Sequence, residues 1–141
     1  MIAASLVLAG CGDSTEKNDY VDQVNQLQEQ LVNDVTAATQ KATLTSQKDA
    51  ADYAATIAGV FADAADKFEA VDPPADVTDL HAQLVDQLRS IATDTKQAYK
   101  TLRDGSPQQA QQALTDLQNQ ANDAQTKFTA LIDQINGALH D

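Results

Sequence analysis

Residues 104–109 read Asp104-Gly105-Ser106-Pro107-Gln108-Gln109, the clearest punctuation in the chain. Asp104-Gly105 closes one helix, glycine being the residue that takes a left-handed C-cap cheaply. Ser106 then offers a capping hydroxyl, Pro107 takes the first helical position, and Gln109 stands where its side chain reaches back to the cap. Two helices joined this tightly pack antiparallel when their apolar faces meet. Both have such a face. Downstream, Leu114, Leu117, Ala121, Ala124, Phe128, Leu131, Ile135 and Leu139 repeat in steps of three and four, a coiled-coil-like seam reaching about Leu139. Upstream, Val77, Leu80, Leu84, Leu88, Ile91, Ala98 and Leu102 form the stripe of a helix over about Ala75–Arg103, with Thr95 as its polar member. Asp76 and Asp79 open that helix and Lys96, Lys100 and Arg103 close it, each sign matched to the helix dipole.

The pattern continues towards the N-terminus. Asp72-Pro73-Pro74 stops a second helix, since each proline restricts its predecessor and donates no backbone hydrogen bond. That helix covers about Gln47–Val71, with Tyr53, Ile57, Val60, Ala64, Phe68 and Val71 on its stripe and Phe61 beside it. Gly59 inside it costs up to ~1 kcal/mol relative to Ala. It reads as close approach of a neighbouring helix, with a kink beside a ligand pocket as the alternative. Thr43-Leu44-Thr45-Ser46 breaks the chain again, and Ser46 caps the following helix with Asp49 three residues on. A first helix, about Asn18–Thr43, carries Tyr20, Val24, Leu27, Leu31, Val35, Ala38 and Ala42 on one face. Four amphipathic helices and three short turns predict an all-α, antiparallel up-down-up-down four-helix bundle over residues 18–141. The first turn is the weakest boundary: were it helical, the exposed stripe would invite a dimer, so the oligomeric state stays open. Aromatic residues at 4%, five glycines and three prolines fit an all-helical domain.

Ahead of the helices stands Leu8-Ala9-Gly10-Cys11, holding the sole cysteine and closing an uncharged apolar run from Ile2. It resembles the lipobox of bacterial lipoproteins, in which a branched apolar residue and two small residues precede a cysteine that is acylated and becomes the new N-terminus. The resemblance implies that residues 1–10 are a signal peptide, that Cys11 is the lipidation site, and that residues 11–17 are a flexible tether. No Lys or Arg precedes Lys17, whereas a secretory signal carries a basic n-region, so residues 1–10 read as a remnant. Two or more acyl chains, at roughly 0.8 kcal/mol per buried methylene, hold a protein stably at a bilayer. The lipobox, the Ala/Asp/Gln-rich helices and the Asp72-Pro73-Pro74 joint together resemble small lipoproteins of high-GC Gram-positive bacteria. That resemblance implies a lipid-anchored extracytoplasmic module and brings no catalytic residues.

A net charge of −12 argues against nucleic acid as a partner and against electrostatic docking on an anionic leaflet. One cysteine allows no intrachain disulfide, so packing alone holds the domain. No cofactor is expected. The glutamates Glu16, Glu29 and Glu69 have no histidine three residues on, as a ferritin-like di-iron site needs, and Met1 is the sole methionine for haem ligation. Ser14, Ser46, Ser90 and Ser106 show no activating histidine, and Gly-rich phosphate loops are absent, so no catalytic site is assigned.

The antiparallel topology sorts what remains between two ends. Cys11, the Asp72–Pro74 joint and His140 fall at one, the base; the turns at 43–46 and 104–107 form the tip, roughly 35–40 Å away. His81 and His140 with Asp72 are the candidate metal ligands, His81 doubling as a residue flanking the core. Lys41, Lys48, Lys96, Lys100 and Arg103, five of the nine basic residues, lie towards the tip and are the candidate contacts for an envelope protein. Tyr53 and Tyr99 lie there among Ala50, Ala54, Ala98 and Ala110, which indicates close packing with hydroxyls reaching solvent, with a pocket lined by the two tyrosines as the alternative. The expected function is non-enzymatic: a binding or spacing module on the extracytoplasmic face of the cell membrane. The alternative is a small-ligand or metal-binding lipoprotein using the bundle interior or the His81/His140 end.

Overall fold

The computed structural model describes residues 15–140. Four helices follow one another: α1 (Thr15–Lys41), α2 (Gln47–Glu69), α3 (Thr78–Asp104) and α4 (Pro107–His140), with a 3-10 turn over Ala75–Val77 ahead of α3. The fold is an all-α antiparallel four-helix bundle. Its direction is fixed by contacts at each end. At the base, Tyr20 of α1 meets His81 of α3 (3.0 Å), and His81 meets the carbonyl of Phe68 at the end of α2 (2.9 Å). Lys17 of α1 donates to the Leu139 carbonyl near the end of α4 (3.3 Å) and pairs with Asp76 (2.8 Å). At the tip, Gln47 at the start of α2 donates to the carbonyls of Leu102 (2.7 Å) and Gly105 (3.1 Å) at the end of α3. Gln47 thereby satisfies acceptors that the α3 terminus leaves without intrahelical partners.

The helix starts follow their chemistry. Ser106 Oγ accepts from Gln109 N (3.4 Å) while Gln109 Oε1 accepts from Ser106 N (2.8 Å), a reciprocal capping box. Ser46 Oγ accepts from Asp49 N (3.1 Å), and the Asp49 carboxylate accepts from the amide (3.2 Å) and hydroxyl (2.7 Å) of Thr45. These bonds hold the Asp49 carboxyl below the usual carboxylate range. They also separate α1 from α2. The first helix begins at Thr15 rather than Asn18, so residues 15–17 of the expected tether are helical, with Glu16 suited to the first turn. Residues 11–14, Cys11 among them, lie outside the described residues.

The core is in two parts. Towards the base, Tyr20, Val24, Ala65, Phe68, Val77, Leu84, Val85, Leu88, Ile132 and Ile135 belong to a cluster of mostly large side chains. Towards the tip, Ala50, Ala51, Ala54, Leu102, Ala110 and Ala113 form a second one of small side chains. The tip cluster contains no residue of α1. Correspondingly, α1 buries fully only Tyr20 and Val24; Leu27, Leu31, Val35 and Ala38 are half-buried, and Val32 is exposed. The seam expected along α4 is interrupted for the same reason. Leu114 and Ala121 are exposed, Leu117, Ala124 and Phe128 half-buried, and full burial resumes at Leu131.

Two glycines depart from the sequence reading. Gly105 has no left-handed backbone (φ −82°, ψ 164°). Its requirement is steric: a Cβ there would lie 2.4 Å from the Thr101 carbonyl oxygen and 3.2 Å from Gln109 Cβ. Gly59, expected to mark a close helix approach, is exposed, and a Cβ there would meet nothing within 4 Å. The two sites therefore respond oppositely to alanine. Gly59→Ala raises stability by about 0.5–1 kcal/mol, since helix propensity improves with nothing displaced. Gly105→Ala lowers it by about 1–3 kcal/mol, the strain range of an overpacked position. Thermal unfolding of the two variants checks both signs.

Candidate functional site

The predicted site residues fall at the two ends of the bundle, and the base holds the more structured group. His81 is 5% exposed and Tyr20 1%. The chain places them there through periodicity: His81 is four residues after Val77 and three before Leu84, both fully buried on the same stripe. Tyr20 stands one turn before Val24 on α1. The hydrogen bonds settle the protonation pattern. A carbonyl only accepts, so His81 Nε2 carries the proton and donates to Phe68 O. Nδ1 is then the acceptor, and the Tyr20 hydroxyl donates to it. The rings meet edge to face, with centroids 5.6 Å apart and planes at 67°.

Burial raises the Tyr20 phenol to about 12. It also pushes the His81 imidazole below its usual value, partly offset by the bond to the Phe68 carbonyl. Both groups are neutral at pH 7. With both nitrogens engaged, His81 has no lone pair directed at a metal ion; it is part of the core. Asp72, the third candidate ligand, is exposed. The side chain of His140 lies outside the described residues, although the end of α4 does reach the base. Among the described residues, no three His, Cys, Asp or Glu side chains are grouped as metal ligands.

At the tip the five basic residues are not equivalent. Lys48 pairs with Asp52 one turn on. Arg103 binds the Asp104 carboxylate through Nε (2.8 Å) and Nη2 (2.6 Å), donates to Tyr99 OH (3.1 Å), and lies 5.1 Å from the Tyr99 ring centroid. These contacts stiffen the arginine and cancel its charge locally. Lys41, Lys96 and Lys100 are exposed and pair with no carboxylate among the described residues. They are the free positive charges of the tip. Leu44, in the turn between α1 and α2, adds a 62% exposed apolar side chain there. The alanines of the cluster beneath are buried, and Tyr53 OH meets Thr39 Oγ1 (3.1 Å) at the surface.

The two best-formed depressions among the described residues are small. One lies between α1 and α4 beside Tyr20, Val24 and Ile135, the other between α1 and α2 beside Leu31, Val60 and Phe68. Each offers about 10 Å³, room for about one water. The base hydrogen bonds are therefore structural in character. Tyr20→Phe leaves His81 Nδ1 buried without its donor and costs about 1–3 kcal/mol, measurable by urea unfolding at pH 7.5.

No protein family, curated protein or solved structure matches this chain.

Proposed function

We propose that this protein is a lipid-anchored, non-enzymatic module of the bacterial cell envelope, attached through Cys11 and meeting a protein partner with its tip. The observation that carries the reading is the division of the bundle ends. The first helix starts four residues after Cys11 at the base, while Lys41, Lys96 and Lys100 pair with no carboxylate among the described residues and stand towards the opposite end. Helices of 23 to 27 residues span about 35–40 Å, which sets the tip well beyond the ~8 Å screening length of a charged leaflet. None of the described helices is long and apolar enough to cross a membrane, so attachment in this reading belongs to the lipid. Three lysines and an exposed Leu44 suit an acidic protein surface with an apolar recess. A ligand housed between the helices has less support, since the two best-formed depressions between them each offer about 10 Å³.

Two measurements test the reading separately. Mass spectrometry of protein from a bacterial membrane fraction should show the chain beginning at acylated Cys11, and Cys11→Ala should move the protein out of that fraction. Free thiol on soluble, unprocessed chain overturns the anchor. Cross-linking in intact cells should capture an envelope protein, and reversing charge at Lys41, Lys96 and Lys100 should weaken capture at least tenfold, roughly 1.4 kcal/mol. Unchanged capture overturns the tip as contact surface.

A further inference from the structure

The base hydrogen bonds have a property that the packing role does not use. Of the four helices, α1 is the least embedded: Tyr20 and Val24 are its only fully buried residues, and both lie in its first half. From Leu27 onwards it is half-buried at most. Among the described residues, the one polar tie from that second half to another helix is the surface bond between Thr39 and Tyr53. By contrast α2 and α3 share both core clusters. Half-buried Leu27 and Leu31 still pack against the base cluster, but the fully buried and long-range polar attachments of α1 are concentrated in its first turns, in the Tyr20 seat and the Lys17 bonds to Asp76 and Leu139 O.

The Tyr20 seat works for one protonation state of its partner. Neutral His81 donates at Nε2 and accepts at Nδ1. A second proton must enter at Nδ1, the atom to which Tyr20 donates. Two donors then face each other. Tyr20 can turn to accept, but its own proton then loses its acceptor in a site 1% exposed, and a buried donor without a partner is costly. We propose that protonation of His81 releases α1 from the α2–α3–α4 core, making the bundle an acid-sensitive clasp.

Among the described residues, no neighbouring charge offsets this. On α1 the titratable group in contact is Tyr20; Asp19 and Asp22 are exposed. Helix α2 contributes the Phe68 carbonyl, and Glu69 beyond it is taken by Arg89 of α3. Asp76 of the 3-10 turn is taken by Lys17, while Asp72 and Asp79 are exposed. Helix α4 contributes Ile132 and Ile135, with Asp133 exposed between them. The direction of the effect follows from proton counting. The docked state holds His81 below its ordinary value of 6.5, so the released state binds more protons below that pH. Docking is complete above about pH 6.5 and weakens as pH falls through the depressed value, by at most about tenfold per pH unit for one proton.

Hydrogen exchange of the full chain at pH 7.5, 6.0 and 5.0, corrected for intrinsic rates, tests the clasp. Amides of residues 18–41 should lose protection on acidification while those of α2 and α3 keep theirs. His81→Gln, which keeps a donor and an acceptor but does not titrate, should abolish that response. If that variant does not fold, Tyr20→Phe decides: α1 should exchange fast at every pH, with little further change on acidification. The proposal is overturned if α1 protection is independent of pH, if α2 and α3 are lost in step with α1, or if either variant responds to acid as the parent does.

Discussion

An imidazole inside an apolar core must have both nitrogens bonded, and that requirement organises the base of this bundle. His81 satisfies it with the last turn of α2 on one side and the first turns of α1 on the other. One ring therefore fixes the relative height of three helices. Phe68, Leu84, Leu88 and Val77 are among the largest fully buried side chains of the base cluster. Hydrophobic contact is non-directional and tolerates sliding; two hydrogen bonds to one planar ring do not. The base consequently specifies register as well as stability.

The tip is built on another plan. Its buried residues are mostly alanines, which bring helices close and contribute little area each. Specificity there comes from termini rather than from the core: Gln47 caps the carbonyls of α3, and the Ser106–Gln109 and Ser46–Asp49 pairs start the helices that follow. Because these groups are short polar side chains at turns, the basic residues around them are displayed without being drawn into the packing. Lys48 and Arg103 are paired with Asp52 and Asp104, and because Arg103 takes Asp104, Lys100 four residues before it is left without that carboxylate.

Much of this was legible in the sequence. Period, caps and prolines placed four helices, and all four starts came within a turn of those observed. The burial of Thr95 followed from its place on the stripe. Other features were hidden for identifiable reasons. Val85 and Ile132 are buried beside stripe residues because the base packs a face wider than one ridge. The gap in the α4 seam depends on where α1 lies, which α4's own period cannot report. The role of Gly105 depends on a carbonyl one turn earlier, and the openness around Gly59 on the absence of a neighbour. His81 was visible as a residue at the edge of the core. Its pairing with Tyr20, 61 positions away, needed the tertiary fold.

The interrupted seam gives α4 an unusual mechanical profile. A helix ordinarily frays inward from its termini. Here both ends are fastened, by Ala110 and Ala113 on one side and by Leu131, Ile132 and Ile135 on the other. The 17 residues from 114 to 130, about 25 Å of rod, carry no fully buried side chain. Secured there only by half-buried Leu117, Ala124 and Phe128, the midspan is where opening α4 would expose the least apolar surface, as in a beam carried at its two ends.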